Sequence, residues 1–171
     1  MKARLAKIFG AIAVMLIVLM LLGFLMPSSW SAESSLEIET DATDIFTYLN
    51  DLEKWDEWTI WSDIDSEVTD PSHGEGATRQ WDDENIGSGR ILIVQSDPPE
   101  TLKYLITNNS GARVSGEFLS TGLPKSTRIT WTEKGDLGKN PLMGYLAKRI
   151  GASQAEQMDI GLEQLKARVF D

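Results

Sequence analysis

The sequence predicts an α+β protein, a strongly curved antiparallel sheet with helix at its C-terminal end, preceded by one membrane helix. Three observations carry that prediction. Ile8–Met26 is an uncharged run of 19 residues in which Gly10 and Gly23 alone are not apolar. The middle of the chain is built of short apolar/polar alternations separated by Gly, Pro and Asn turns. From Leu142 onward the apolar residues return to helical spacing.

The apolar run covers about 28 Å as a helix, close to the hydrocarbon thickness of a bilayer. Lys2, Arg4 and Lys7 precede it, and the first charges after it are Glu33, Glu37 and Glu39. The positive-inside rule puts the N-terminus in the cytoplasm and the rest outside, in the periplasm if the cell is a Gram-negative bacterium. A cleaved signal peptide is the competing reading. The run is longer than a signal-peptide core, and Ser29-Trp30-Ser31 is a mediocre cleavage site, so a retained anchor is favoured.

The 171 residues hold one soluble domain beyond that run. Residues 32–171 carry 13 basic against 26 acidic groups, and phosphate binding needs clustered Lys and Arg, so nucleic acid is excluded as a partner. The absence of Cys removes disulfides, Cys-ligated metals and Cys nucleophiles.

After Pro27 a polar stretch leads to Ser35–Thr40, where Leu36 and Ile38 alternate with Glu37 and Glu39 as a half-buried strand. Asp41 can cap a short helix with Ile45, Phe46 and Leu49 inward, and Asp44 suits its positive end. Asn50-Asp51 breaks it, and a second short helix follows from Leu52 to about Trp58. Strands are predicted over 77–81, 87–95, 102–107, 114–121 and 126–133, with turns at Asp97-Pro98-Pro99 and Asn108-Asn109-Ser110-Gly111. Together they read as an antiparallel meander. The C-terminal stretch reads as two helices. Leu142, Leu146 and Ile150 form one stripe, and Met158, Leu162, Leu165 and Val169 a second. Gly151 can close the first, and Ser153-x-x-Glu156 is a capping box for the next.

Several motifs fail on inspection. His73 is the single histidine, which excludes a His triad or cage. Asp63, Asp65 and Glu67 start like a Ca²⁺ loop, but Val68 and Gly74 stand where Gly and Glu are required. Asp82-Asp83-Glu84-Asn85 reads as a solvated turn. Gly87-Ser88-Gly89 precedes a strand, so it is a bulge signal and no phosphate loop. No cofactor or metal is expected. The aromatic residues are more informative. Trp55, Trp58 and Trp61 recur at i, i+3, i+6, Trp81 and Trp131 fall on strands, and Phe46, Phe118, Tyr104 and Tyr145 join them. They either fill an ordinary core or partly line an apolar cavity.

A family resemblance rests on pieces spread over about residues 35–168. They are Leu36-Glu37-Ile38 leading to Ile45-Phe46, Trp55-x-x-Trp58-x-x-Trp61, Gly74-x-Gly76, Trp81, Gly87-x-Gly89, Ser126 to Trp131, Gly135-Asp136, Asn140-Pro141-Leu142, and Gly161-Leu162-x-x-Leu165-Lys166. Their order resembles the helix-grip fold of the START/Bet v 1-like (SRPBCC) superfamily. More narrowly, it resembles the polyketide cyclase/dehydrase and lipid transport group, including forms with one N-terminal membrane helix. Thr59-Ile60 departs from the Ser-Pro pair expected between the second and third Trp. The resemblance implies a sheet wrapped around a long helix and enclosing an apolar cavity. Members bind lipids, sterols, polyketides or other hydrophobic molecules, and a minority catalyse without one shared catalytic set. By that fold, Trp58, Trp61, Trp81, Tyr104, Phe118 and Trp131 are expected at the cavity or its lid, with Met158 and Leu162 on the gripping helix.

The resulting organisation is a cytoplasmic segment 1–7, a span 8–26, a linker 27–34 and a ligand-binding domain 35–171. Eight linker residues reach at most about 28 Å, which keeps the domain near the bilayer. The expected function is binding of a hydrophobic small molecule or lipid. One alternative is a cyclase/dehydrase-type enzyme, which needs an acid–base group in the cavity. Arg79, on the Trp81 face, is the candidate to inspect; unpaired it favours catalysis, salt-bridged it does not. The other alternative is a tethered partner-binding domain with a filled core and an exposed apolar patch.

Overall fold

The computed structural model describes residues 2–84, 86–109, 111–138 and 141–171, with side chains from Lys7 onward. The side chains of Lys2 and Arg4, Asn85 of the acidic turn, Ser110 of the hairpin turn and Asn140 before the last helix lie outside the described residues.

The apolar run is one helix, α1 (Lys2–Leu25), with its hydrophobic side chains almost all exposed. It is long and apolar enough to cross a membrane. Three residues separate α1 from strand β1 (Ser29–Ile38), which takes up most of the stretch 27–34 expected as linker. The reason is pairing. Ser29 through Ile38 register against Asp136 through Thr127, so β7 satisfies the backbone of a segment whose composition looks like loop. Within it Trp30, Ala32, Ser34 and Ile38 are buried on one face.

Helix α2 (Ala42–Leu49) buries Ile45, Phe46 and Leu49 as predicted. Asp41 stands at its N-cap, but its side chain makes no capping bond; its carbonyl accepts from the amides of Asp44 and Ile45. The helix predicted from Leu52 to about Trp58 is a single 3-10 turn, Lys54–Glu57, and a second 3-10 turn, Ile60–Asp63, follows it. Strands β2 (Ser66–Val68), β3 (Thr78–Asp83), β4 (Gly87–Asp97), β5 (Thr101–Asn108), β6 (Arg113–Gly122) and β7 (Thr127–Asp136) complete a seven-stranded antiparallel sheet, ordered β1-β7-β6-β5-β4-β3-β2. β2 was missed because its residues Ser66-Glu67-Val68 carry one apolar side chain. The register shifts between Ile93 and Gln95, not at the glycines; Gly89 instead leaves room for the Trp81 ring.

The C-terminal stretch is one helix, α3 (Pro141–Val169), which corrects the reading of two. Its buried stripe runs Gly144, Ala147, Gly151, Met158, Leu162, Leu165. Leu142 and Leu146, which set the first predicted phase, point outward. Small residues form the buried face of the N-terminal half because the helix lies very close to its neighbours there. A Cβ on Gly151 would come within 2.9 Å of the Ser31 carbonyl oxygen, and one on Gly144 within 2.7 Å of Met26 Cβ. Close backbone approach leaves no room for a larger side chain.

Candidate functional site

Alternation along β7 turns Thr127, Ile129, Trp131 and Glu133 inward, so an acid follows two apolar residues on the core face. Tyr104 on β5 pairs with Gly116 on β6, and Gly116 pairs with Glu133. A Cβ on Gly116 would collide with the Tyr104 ring. The missing side chain lets Tyr104 lie across β6, where its hydroxyl donates to the Glu133 carboxylate. Trp131 Nε1 donates to the same hydroxyl at 2.7 Å, and the Gln154 side chain of α3 hydrogen-bonds Glu133.

These groups close one end of a cavity of about 180 Å³. Its other walls include Trp30, Trp55, Trp61, Ile106 and Val114, and it reaches the surface beside the exposed Ile60 and Gln157, with Thr59 and Gly161 next to them. Glu133 is 3 % exposed. Burial holds its carboxyl above the usual carboxylate range, and the hydrogen bonds from Tyr104 and Gln154 only partly offset this. Tyr104 is pushed well above an ordinary tyrosine, first by burial and then by the charge of Glu133. The result is a coupled acid–phenol pair at the inner end of a mostly apolar space, able to accept from or protonate one polar group of a bound molecule.

The predicted residues fall into three groups. Trp61, Tyr104 and Trp131 line the cavity. Trp58, Phe118, Met158 and Leu162 are buried core. Trp58 and Phe118 pack edge-on at 5.9 Å, Phe118 and Trp131 lie 4.9 Å apart, and Trp55 meets the Tyr104 ring at 5.1 Å. Trp81 packs on Trp61 at 5.1 Å, behind the cavity wall. Trp30, Ile106, Val114, Glu133 and Gln154 were missed. The usable signal was the period on β7, where Glu133 extends the inward series set by Ile129 and Trp131. No comparable signal existed for Trp30, which sat in a segment read as linker.

Arg79 is inward and held through both terminal nitrogens, while its buried Nε has no hydrogen-bond partner. Its Nη1 meets Asp56 Oδ1 at 2.6 Å and Ser66 Oγ at 2.9 Å, and its Nη2 donates to the Leu52 carbonyl at 2.6 Å. It ties β3 to β2 and to the first 3-10 turn as a structural clasp, the paired arrangement that disfavours a catalytic role. Among the described residues, no group of three or more His, Asp and Glu side chains is placed to hold a metal ion.

A shallow groove of about 650 Å³ lies outside the cavity mouth, between the 3-10 turns and the last turns of α3. Thr59, Ile60, Gln157 and Gly161 line both spaces, and Trp58, Asp63 and Arg168 border the groove.

A family model described as polyketide cyclase / dehydrase and lipid transport matches residues 29–169. The chain belongs to this family. The match begins where β1 begins and ends where α3 ends, so the family unit is the sheet together with its gripping helix. A protein of Mesorhizobium loti is similar in fold, with a TM-score of 0.61 at 14 % identity over 82 % of this chain and 96 % of its own. A truncated norcoclaurine synthase from Thalictrum flavum matches with a TM-score of 0.61 at 12 % identity, over 84 % and 94 % of the two chains. A protein of Helicobacter pylori matches with a TM-score of 0.62 at 13 % identity, over 82 % and 87 %. At such identities the likeness is one of fold. No curated protein matches the sequence.

Proposed function

We propose that this member of the polyketide cyclase/dehydrase and lipid transport family binds a small, mostly apolar molecule in the cavity, from a position anchored to a bilayer by α1. The observation that carries the reading is an apolar cavity of about 180 Å³ with one buried, hydrogen-bonded acid at its inner end. Its size favours a single ring or a short stretch of acyl chain, since drug-sized ligands occupy roughly 300–1,000 Å³. A whole phospholipid would require the segment Thr59–Asp63 to swing outward and join cavity to groove. Transfer of apolar surface from water at roughly 25 cal/mol per Å² drives entry. Glu133 and Tyr104 select a ligand with a hydroxyl or amine at its buried end. Lys7, just before the apolar run of α1, and Glu33 after it support a cytoplasmic N-terminus and an extracytoplasmic domain.

Native mass spectrometry of the full chain, released from mild detergent, tests this together with Trp fluorescence on adding a phenol- or amine-bearing apolar probe such as 1-naphthol. Val114→Trp fills the cavity and is expected to abolish uptake with the fold intact. Equal probe binding by the wild type and this variant would place the ligand elsewhere.

Catalysis of the cyclase or dehydrase type is the second reading, favoured by the Glu133–Tyr104 pair. It requires Glu133→Gln to keep binding a substrate and lose its conversion. The filled-core, partner-binding reading is disfavoured by the cavity itself.

A further inference from the structure

We propose that the first turns of α3 form a collar seated in the bilayer leaflet from which α1 emerges. Leu142, Tyr145 and Leu146 meet lipid chains there, and Lys148 and Arg149 meet lipid phosphates. The inference rests on reading α1 as a membrane span.

Three observations point the same way. First, α3 is rooted on α1. Gly23 is buried under the Pro141 backbone, Gly144 abuts Met26, and the Tyr145 hydroxyl donates to the Leu19 carbonyl at 2.7 Å. Small residues at a close helix crossing, joined by a side-chain hydrogen bond, are how helices associate in lipid. Leu19 lies about 9 Å inside the end of α1 along the helix axis, so Tyr145 reaches below the level at which α1 ends.

Second, the outward face of this part of α3 is apolar and continuous with the side of α1. Leu142 is 62 % exposed, Leu146 43 % and Tyr145 41 %, and they share one groove with Leu16, Leu19 and Met20. A water-soluble partner could not cover this surface, because half of it belongs to α1 at acyl depth. The occupant is therefore the lipid that surrounds α1. Tyr145 has the amphipathic character that favours a membrane–water boundary.

Third, the charge changes sign at this place. Residues 141–155 contain Lys148 and Arg149 and no acid, in a chain with 26 acids. Both cations are exposed and follow Leu146 within about one turn of helix. Apolar contacts followed by cations match the order of acyl chain and phosphate in a leaflet. The acidic remainder of the domain would be repelled by the same surface.

Seated this way, the Gln154–Gly161 edge of the cavity stands about 12–22 Å along α3 from Leu146. Loading an apolar molecule from the leaflet then needs little travel through water.

The chain has no Cys, so single labels are simple to introduce. Spin labels at Leu146→Cys, Leu16→Cys and Ile160→Cys are compared in the full chain, in nanodiscs of phosphatidylcholine and phosphatidylglycerol. The readout is collision with oxygen against a water-soluble nickel chelate. The expected oxygen-to-nickel ratio is several-fold higher at 146 than at 160, and similar in sense to that at 16. Adding Lys148→Glu with Arg149→Glu is expected to shift the 146 label toward the aqueous value. A lipidic label at 16 with an aqueous one at 146 overturns the collar alone. An aqueous label at 16 overturns the span and the collar with it. A label at 146 that ignores the charge reversal overturns the phosphate contact.

Discussion

Glu133 is the residue at which packing and chemistry conflict. An ionised carboxylate inside the domain is disfavoured by desolvation, and Tyr104 and Gln154 compensate only in part. Its pKa is raised in the folded chain above the unfolded value of about 4.3. Below the unfolded value both states are protonated and nothing is lost. As pH rises through the raised folded value, the unfolded chain has already ionised, and the folded chain must charge a buried group, so stability falls. Glu133→Gln keeps an acceptor for Tyr104 and removes this slope. Thermal melts of the full chain at a series of pH values are expected to show the variant gaining on the wild type from about pH 4 upward. A constant difference across the series would mean that folding does not raise the pKa of Glu133. Arg79 is equally buried, yet Asp56, Ser66 and Leu52 answer its charge in place, which is why it serves architecture.

At the scale of elements, α3 decides how the sheet closes. Its stripe Gly144, Ala147, Gly151, Met158, Leu162, Leu165 changes from small to large along one continuous helix. The small half lies against α1 and β1, and the large half fills the sheet. The sequence reading followed Leu142, Leu146 and Ile150 because they are apolar, but burial at close approach selects small residues and leaves large ones outside. Gly151→Leu drives a side chain into the β1 backbone at Ser31. Overpacking costs about 1–3 kcal/mol, against a gain of about 1 kcal/mol in helix propensity. The expected net effect is a lower melting temperature for Gly151→Leu, with the exposed control Ala152→Leu unchanged or raised; equal melts would show that α3 can shift away from β1. The first 3-10 turn is legible as the short helix from Leu52 to about Trp58, but the second, Ile60–Asp63, is not. The Thr59 side chain accepts from the Trp61 amide and starts the second turn.

For the whole molecule, the short link between α1 and β1 and the seat of α3 on α1 make the apolar helix part of the architecture. A chain beginning at Ser29 would keep the family unit but expose Leu142, Tyr145, Leu146 and the Gly23-facing side of α3 to water. Such a fragment is expected to self-associate in sedimentation, and Leu142→Glu with Leu146→Glu is expected to return it to a monomer. A monomeric fragment without those changes would show that the face is tolerated in water. Most of the sheet was legible, because alternation reports a strand with one face buried. The cavity was half legible. Trp61, Tyr104 and Trp131 follow from the family order of motifs, whereas Trp30 is hidden in polar sequence that becomes strand by pairing with β7.

Periodicity is readable along the chain: an apolar run of bilayer length, strands of period two, a C-terminal helix, and a family order of motifs. These are local consequences of side-chain hydrophobicity along one chain. The tertiary structure alone decided that α3 is unbroken, that Arg79 is neutralised while Glu133 remains a buried acid, and that so many aromatic rings leave about 180 Å³ unfilled. Those depend on distances between residues far apart in the chain, where a missing side chain at Gly116 or Gly151 matters as much as a large one elsewhere.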